Sequence, residues 1–385
     1  MNDQSNRLLL SGNHAVSWGV KLACPDVAPL YPITPQTPIL EKLTEFQSAG
    51  ELNSELLTPE SEHSAMAACI SASLTGARVF TATSSQGILL MHELLHYASG
   101  ARTPIVMFNV NRTPGSPWGF WPDQLDSLSQ RDTGWIQLYS EAPQESLDTV
   151  IQAFRVAEKV GLPTMVCHDA FYVSHAVEQV DVPSQELVSN FLPSYKPEIS
   201  LNTGIGRSFG APVDQANWNR SRQDMAKAMA GVEDVVTSTG MEWGDVTSRS
   251  YGPLEQYRTD DAEVVVVTMG SMTGTARDAI DALRENGIAA GLLKVRLFRP
   301  LPGESLRKAL SGIPCAIVLD RNYSPGMGGI LHQELKSILF GAPNVPRLHG
   351  ILAGVGGVNV PSSKIQQLVM DHKEATPSVE SVWME

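Results

Sequence analysis

From Leu8 to about Val182, short apolar runs alternate with stretches whose apolar positions recur at helical spacing. RVFTATSS, residues 78–85, predicts a strand. Gln86-Gly87 then turns the chain into ILLMHELLHYAS, a helix apolar on one face. TPIVMFNVN, residues 103–111, predicts the next strand and runs into a loop of prolines and glycines. SLDTVIQAFRVAEKVG predicts a helix with a glycine stop, and LPTMVCHDA a further strand. Alternation of this kind builds a doubly wound parallel α/β sheet. Ligands of such sheets sit beyond the carboxyl ends of the strands, so the loops after Ser85, Asn111 and Asp169 are the expected functional loops.

Residues 183–260 break the pattern. Pro, Gly, Ser, Asn and Gln are common there, and the stretch predicts an irregular connector with one helix near residues 222–236. A second α/β unit opens with AEVVVVTMGSMTGTARDAIDALRENG: strand, glycine turn, helix, glycine cap. The expected organisation is a first domain over 1–250, irregular from about 183, and a second over 260–385.

Three stretches carry candidate chemistry. APLYPITPQTPILEKL, residues 28–43, spaces prolines at 29, 32, 35 and 38 and then becomes helical. Prolines remove backbone donors and bias the preceding residues to extended geometry, so Thr34 sits on a stiff turn. Either Thr34 or Thr37 caps the helix, or the turn holds Thr34 at a ligand. TPESEHSAMAACISASLTG, residues 58–76, predicts a helix with Thr58 as N-cap and Pro59 in its first position. Glu60 and Glu62 then lie in the first turn, where the helix dipole favours carboxylates. The dipole does not explain Ala65, Ala67, Ala68, Ser71, Ala72 and Ser73, small residues that admit close packing by a flat cofactor or a subunit. In NVNRTPGSPWGFWPDQLD, Arg112 emerges at the carboxyl end of a strand. Arginine there grips a carboxylate or phosphate through its fork, or closes a surface salt bridge. MGSMTGT and SPGMGG read as ordinary turns, since neither fits a phosphate-binding glycine pattern. His63 and His175 are candidate acid–base groups set against purely structural roles.

Composition narrows the classes. The chain has 385 residues, 42% hydrophobic and 18% charged, enough for more than one domain. A net charge of −13 argues against nucleic acid or anionic membrane as the main partner. Cys24, Cys69, Cys167 and Cys315 form no close pair, so the chain is not expected to hold an iron–sulfur cluster or structural zinc itself. Their apolar or small neighbours predict buried free thiols in a reducing cytoplasm. No apolar run reaches the roughly 18 residues of a membrane span, and the N-terminal one is too short for a signal peptide.

Together YPITP, ESEHSAMAA, TATSSQGILLMHE, NVNR, RDTGWIQ, HDAFYVSH and VTMGSMTGT resemble the alpha subunit of the 2-oxoacid:ferredoxin oxidoreductases, the pyruvate synthase family, over about residues 8–370. The resemblance implies a pyrimidine-type thiamine diphosphate domain followed by a transketolase C-terminal-type α/β domain. It implies oxidative decarboxylation of a 2-oxo acid to acyl-CoA and CO2, with electrons passed to iron–sulfur clusters. Glu62 matches the family's carboxylate on the pyrimidine ring. Thr34 and Arg112 match the residues holding the substrate carboxylate. Tyr31, Trp118 and Phe120 are candidate pocket residues.

Absences then imply partners. No GDG motif for a Mg2+-bound diphosphate occurs, and WGDV, residues 243–246, is not in a strand–turn–helix setting. A beta subunit is therefore expected to carry the diphosphate, its Mg2+ and the nearest iron–sulfur cluster, with gamma and ferredoxin-like subunits beside it and coenzyme A as co-substrate. The rival assignments are a beta subunit of a lipoamide-linked 2-oxoacid dehydrogenase and a non-catalytic assembly subunit. The aromatics after Arg112 point to an arylglyoxylate or arylpyruvate as substrate, with pyruvate the other choice. Thr34 stands where a second substrate carboxylate would call for a basic residue, which puts oxalate and 2-oxoglutarate lower.

Overall fold

The computed structural model describes residues 6–197, 199–201 and 204–384. Its first half runs β1 (Asn6–Ser11), α1 (Gly12–Ala23), β2 (Val27–Pro29), α2 (Thr37–Ser48), β3 (Glu55–Leu57), α3 (Glu62–Leu74), β4 (Phe80–Thr83), α4 (Ser85–Leu90), α5 (His92–Gly100), β5 (Val106–Asn111), α6 (Leu125–Leu128), β6 (Ile136–Tyr139), α7 (Pro143–Val160), β7 (Thr164–Asp169) and β8 (Val177–Val182). Then come α8 (Gln185–Phe191), α9 (Gln215–Ala230), α10 (Val232–Thr247), β9 (Leu254–Tyr257), β10 (Val264–Thr268), α11 (Met272–Glu285), β11 (Ala290–Val295), β12 (Leu297–Arg299), α12 (Gly303–Leu310), β13 (Cys315–Asp320), α13 (Ile330–Leu339), β14 (Arg347–Leu352), α14 (Ser362–His372) and β15 (Val382–Trp383).

The predicted α/β class holds. One sheet has strand order β12-β6-β7-β5-β4, parallel except for β12. A parallel bridge from Val27 to Val79 continues it towards the β2–β3 pair. The second sheet has order β15-β14-β13-β10-β11-β9, parallel except for β9. Period-two alternation sorts the first sheet's side chains: Val106, Phe108 and Val110 pack towards α1 and α7, and Met107 faces the opposite way. Met107 shares its cluster with Val265 and Val267 of β10 and Leu293 of β11, so one apolar core joins both sheets. Residues 297–299 cross back to pair with β6, which ties the halves further.

Polar bonds between the halves supplement that core. Lys294 Nζ lies 2.8 Å from Glu145 and 3.1 Å from Glu141, and Arg296 Nε is 3.2 Å from Glu145. Burial by itself would raise the Glu145 pKa; Lys294 and Arg296 outweigh it and hold the group below its ordinary value. Asp148 on α7 accepts from both Arg249 nitrogens, at 2.7 and 3.0 Å, and from the Tyr251 hydroxyl at 2.8 Å.

The structure differs from the sequence reading in three places. Helix α3 is capped by Ser61, not Thr58: Ser61 is extended (φ −159°, ψ 164°) and its Oγ accepts from Ser64 N–H at 3.2 Å. Glu62 thereby becomes the first helical residue and Glu60 falls outside. The connector holds three helices rather than one. Helix α9 fully buries none of its residues, but Met225, Ala228 and Met229 pack partly buried on the core, and the single helix predicted near residues 222–236 spans the end of α9 and the start of α10. WGDV lies inside α10. Cys69, Cys167 and Cys315 are buried free thiols, but Cys24 is exposed, because it ends α1 in the left-handed conformation (φ 49°) and faces outward.

Glu145→Gln keeps the volume but leaves Lys294 and Arg296 without their shared carboxylate. It is expected to cost about 3–5 kcal/mol, read as a lower urea midpoint at neutral pH. A depressed carboxyl pKa contributes stability above the unfolded value and loses it as pH falls through the folded one. The gap between wild type and Glu145→Gln should therefore be full at pH 7 and shrink in acid.

Candidate functional site

Strands β4, β5 and β7 stop side by side. Thr83 pairs with Asn109 and Asn111 with Asp169, so their carboxyl ends feed one layer of loops. The turn after β4 places Ser85 at positive φ (48°) and starts α4 at once. That brings Gly87 against α3. A Cβ on Gly87 would lie 2.4 Å from Thr83 Oγ1 and 2.8 Å from Glu62 Oε1, so any side chain there displaces these two groups.

Glu62 is 8% exposed. Among the described residues, none hydrogen-bonds its carboxylate. The α3 dipole favours the charge, but a nearly buried carboxylate without a partner is costly unless something else binds there. Nearby orphans point the same way. Thr83 Oγ1 and both amide atoms of Gln36 are buried without partners among the described residues.

Arg112 directly follows β5 and is 5% exposed. Its guanidinium donates to the Thr34 carbonyl and to Gln86 Oε1, and its buried Nε has no partner among the described residues. Burial lowers the Arg112 pKa, and the nearby Asp126 and Glu62 charges raise it. Thr34 sits in the turn before α2, with a cis peptide to Pro35. It meets Arg112 through its carbonyl, and its hydroxyl side is exposed. The fold thus brings Thr34, Glu62 and Arg112 to one place. Tyr31, half-buried, lies three residues from Thr34 on the same segment.

Trp118 and Phe120 are 56% and 45% exposed. Their rings meet edge-on at 5.2 Å, and the Arg112 guanidinium lies 5.3 Å from the first centroid and 5.8 Å from the second. The loop closes on itself: Thr113 N–H donates to the Trp121 carbonyl at 3.1 Å, and Gly119 N–H to Thr113 Oγ1 at 2.7 Å. His63 is exposed, and His175 stacks on Phe171 at 4.6 Å and bonds Ser174 Oγ at 2.7 Å, so neither bonds the three site residues.

The sequence reading missed Gln86, Asp126 and the group at Asp169. Asp169 accepts from Ser271 N–H (2.9 Å), Ser271 Oγ (2.5 Å) and Gln124 Nε2 (3.2 Å), joining β7 to the second sheet. Of these, Gln86 adjoins the Ser85 turn, and only its place after a strand end could have marked it.

Residues 18–239 match the family model described as "Pyruvate flavodoxin/ferredoxin oxidoreductase, thiamine diP-bdg", and 262–365 match "Pyruvate:ferredoxin oxidoreductase core domain II". The chain is 44% identical to pyruvate synthase subunit PorA of Methanothermobacter thermautotrophicus over 363 residues, 94% of each chain. It is 45% identical to ketoisovalerate oxidoreductase subunit VorA of Pyrococcus abyssi over 372 residues, 96% of this chain and 94% of that one. Among solved structures it superposes on the 2-oxoglutarate:ferredoxin oxidoreductase of Magnetococcus marinus with TM-score 0.75 and 20% identity, over 96% of this chain and 66% of that one. That structure has 2-oxoglutarate, coenzyme A and succinyl-CoA bound. Fold and matches define an enzyme subunit built on a thiamine diphosphate-binding α/β domain. The chain belongs to the pyruvate flavodoxin/ferredoxin oxidoreductase family, among the alpha subunits of the 2-oxoacid:ferredoxin oxidoreductases. Neither relative is named as a lipoamide-linked dehydrogenase, the rival assignment.

Gly87→Ala should push the Glu62 carboxylate away from its seat. Misplacement on the order of 1 Å costs about 10²-fold in rate, so turnover of the assembled enzyme should fall by about that factor with its melting temperature little changed. Unaltered turnover would mean that Glu62 does no chemistry.

Proposed function

We propose that this chain supplies half of a 2-oxoacid oxidoreductase active site, in which Glu62 holds the pyrimidine of thiamine diphosphate and Arg112 with Thr34 holds the substrate carboxylate. The observation that carries it is the unpartnered Glu62 carboxylate, nearly buried beside a buried arginine. Thiamine diphosphate fits these residues, because Glu62 offers an acceptor to a protonated ring nitrogen and Gln36 and Thr83 offer orphaned polar atoms. When bound, the cofactor supplies the nucleophilic carbon and the electron sink for decarboxylation. Glu62 holds a proton at the ring nitrogen, which adjusts the basicity of the neighbouring amino group. Arg112, already desolvated, meets the substrate carboxylate with a fixed fork. The 2-oxo acid and coenzyme A become acyl-CoA and CO2, and the electron pair leaves to iron–sulfur clusters.

Those clusters, the diphosphate and its Mg2+ belong in this reading to a beta subunit, with gamma and ferredoxin-like chains completing a cytoplasmic assembly. The absence of a GDG motif and of cysteine pairs supports it. No helix among the described residues is long and apolar enough to cross a membrane. Residues 1–250 would form the cofactor unit, and 260–385 the transketolase C-terminal-like unit that buttresses it.

The substrate is a 2-oxo acid with an uncharged side chain. The loop beside Arg112 presents Trp118 and Phe120 rather than a second cation, and the ring pair favours an aryl group.

Glu62→Gln should leave assembly intact and lower turnover by roughly 10²–10⁴-fold, since an amide cannot take the proton. Arg112→Lys keeps the charge and loses the fork; the KM of the 2-oxo acid should rise by the equivalent of about 1.5–3 kcal/mol. Near-normal rates for the first and an unchanged KM for the second would return both residues to structural roles. Trp118→Ile or Phe120→Ile should lower kcat/KM for phenylglyoxylate relative to pyruvate by about two- to tenfold, the size of one aromatic contact. A preference for pyruvate untouched by either change would rule out the aryl pocket.

A further inference from the structure

Asp126 lies on the short helix α6, at the end of the loop that begins at Arg112. It is fully buried. Its Oδ2 accepts from Ser85 N–H (2.9 Å), Asn109 Nδ2 (3.1 Å) and Arg112 N–H (3.2 Å). Its Oδ1 accepts from Asn111 Nδ2 (2.7 Å) and Ser127 N–H (2.7 Å). Among the described residues no lysine or arginine side chain bonds it directly, so every hydrogen bond it accepts comes from a neutral donor. Only the bond to Ser127 N–H is local to α6, and Asp126 does not cap that helix. The other donors come from the ends of β4 and β5, and two of them are the backbone groups that aim the site. Ser85 N–H opens the turn carrying Gln86, which Arg112 bonds, and Gly87, which seats Glu62. Arg112 N–H fixes the root of the arginine itself.

The second sheet in turn holds the approach to Asp126. Gln124 N–H donates to the Arg321 carbonyl beyond β13 at 2.9 Å. Gln124 Nε2 donates to the Met269 carbonyl beyond β10 and to Asp169, each at 3.2 Å. Arg321 is itself buried, 3.7 Å from Asp169 and with its guanidinium 4.7 Å from the Tyr172 ring centroid. One residue, Leu125, separates the Gln124 anchor from Asp126.

We propose that Asp126 is the positioning residue for substrate binding, setting Arg112 relative to the turn at 85–87, and that the second α/β layer sets Asp126 through Gln124. Asp126 touches no substrate and acts through Arg112. The proposal rests on the reading that Arg112 holds the 2-oxo acid carboxylate. Asp126→Asn is the direct test, because either amide orientation turns an NH2 group towards donors.

In the assembled complex, Asp126→Asn should raise the KM of the 2-oxo acid by roughly ten- to hundredfold, with a smaller fall in kcat. Calorimetric binding of the 2-oxo acid without coenzyme A should weaken in step. Asn111→Ala removes a donor from Asp126 Oδ1 and from Ser127 Oγ but leaves the Ser85 and Arg112 N–H bonds to Oδ2 in place, and should move KM much less. An unchanged KM for Asp126→Asn, or an equal rise for Asn111→Ala, would overturn the proposal; a merely structural role would lower melting temperature or assembly yield without the KM split. Should Asp126→Asn fail to assemble, Gln124→Met decides: a raised KM supports the relay, and an unchanged KM overturns it. If Arg112→Lys also leaves KM unchanged, the parent reading has failed. If Arg112→Lys raises KM and Asp126→Asn does not, only the positioning role falls.

Discussion

Parallel strands that stop at one level leave their last polar groups facing a single layer of loops, and here buried carboxylates satisfy them. Asp126 gathers donors from the ends of β4 and β5, and Asp169 gathers them from across the boundary with the second sheet. Unpaired groups at this depth would each cost about 1–3 kcal/mol, so these acceptors decide where the loops can run. The Ser85 turn, the Arg112 root and the aromatic loop all follow from that constraint. The same layer contains Glu62, whose carboxylate has no hydrogen-bond partner among the described residues.

The contrast between these carboxylates is the electrostatic logic of the site. Burial raises the Asp126 pKa and its hydrogen bonds lower it, for a net value of about 6. Burial pushes Asp123, close by, to about 7, helped by the charges of Asp126 and Asp169. Glu62 differs in lying nearly buried near an arginine with no hydrogen-bond partner among the described residues. Saturated carboxylates build a frame, and an unsaturated one offers a binding group.

Joining the two sheets serves the same end. A shared apolar core, the Glu145–Lys294–Arg296 group and the Asp169–Ser271 bonds make the second layer part of the site's support. Gly357 shows how close the fit is: a Cβ there would lie 2.4 Å from the Trp121 Cβ. The aromatic loop therefore rests on the second layer at Trp121 while Trp118 and Phe120 stay free to meet a ligand or partner.

The sequence by itself determined the α/β class, the parallel strands and the loops that matter, because period-two and helical patterns are local properties of the chain. It also picked out Thr34, Glu62 and Arg112, each beside a strand end or a helix start, and the structure brings these together. The family resemblance in those motifs is borne out by matches across nearly the whole chain. Local signals misjudged the α3 cap, where Thr58 and Ser61 are chemically alike and only the chain's path selects Ser61. They merged the end of α9 and the start of α10 into one helix and missed the short α8. Asp126 and Gln124 could not be found from pattern at all, and pattern marks Asp169 only as a strand end. An aspartate on a short helix is chemically ordinary until two strand ends close around it and a second sheet holds its neighbour, and only the tertiary structure decides which donors those are.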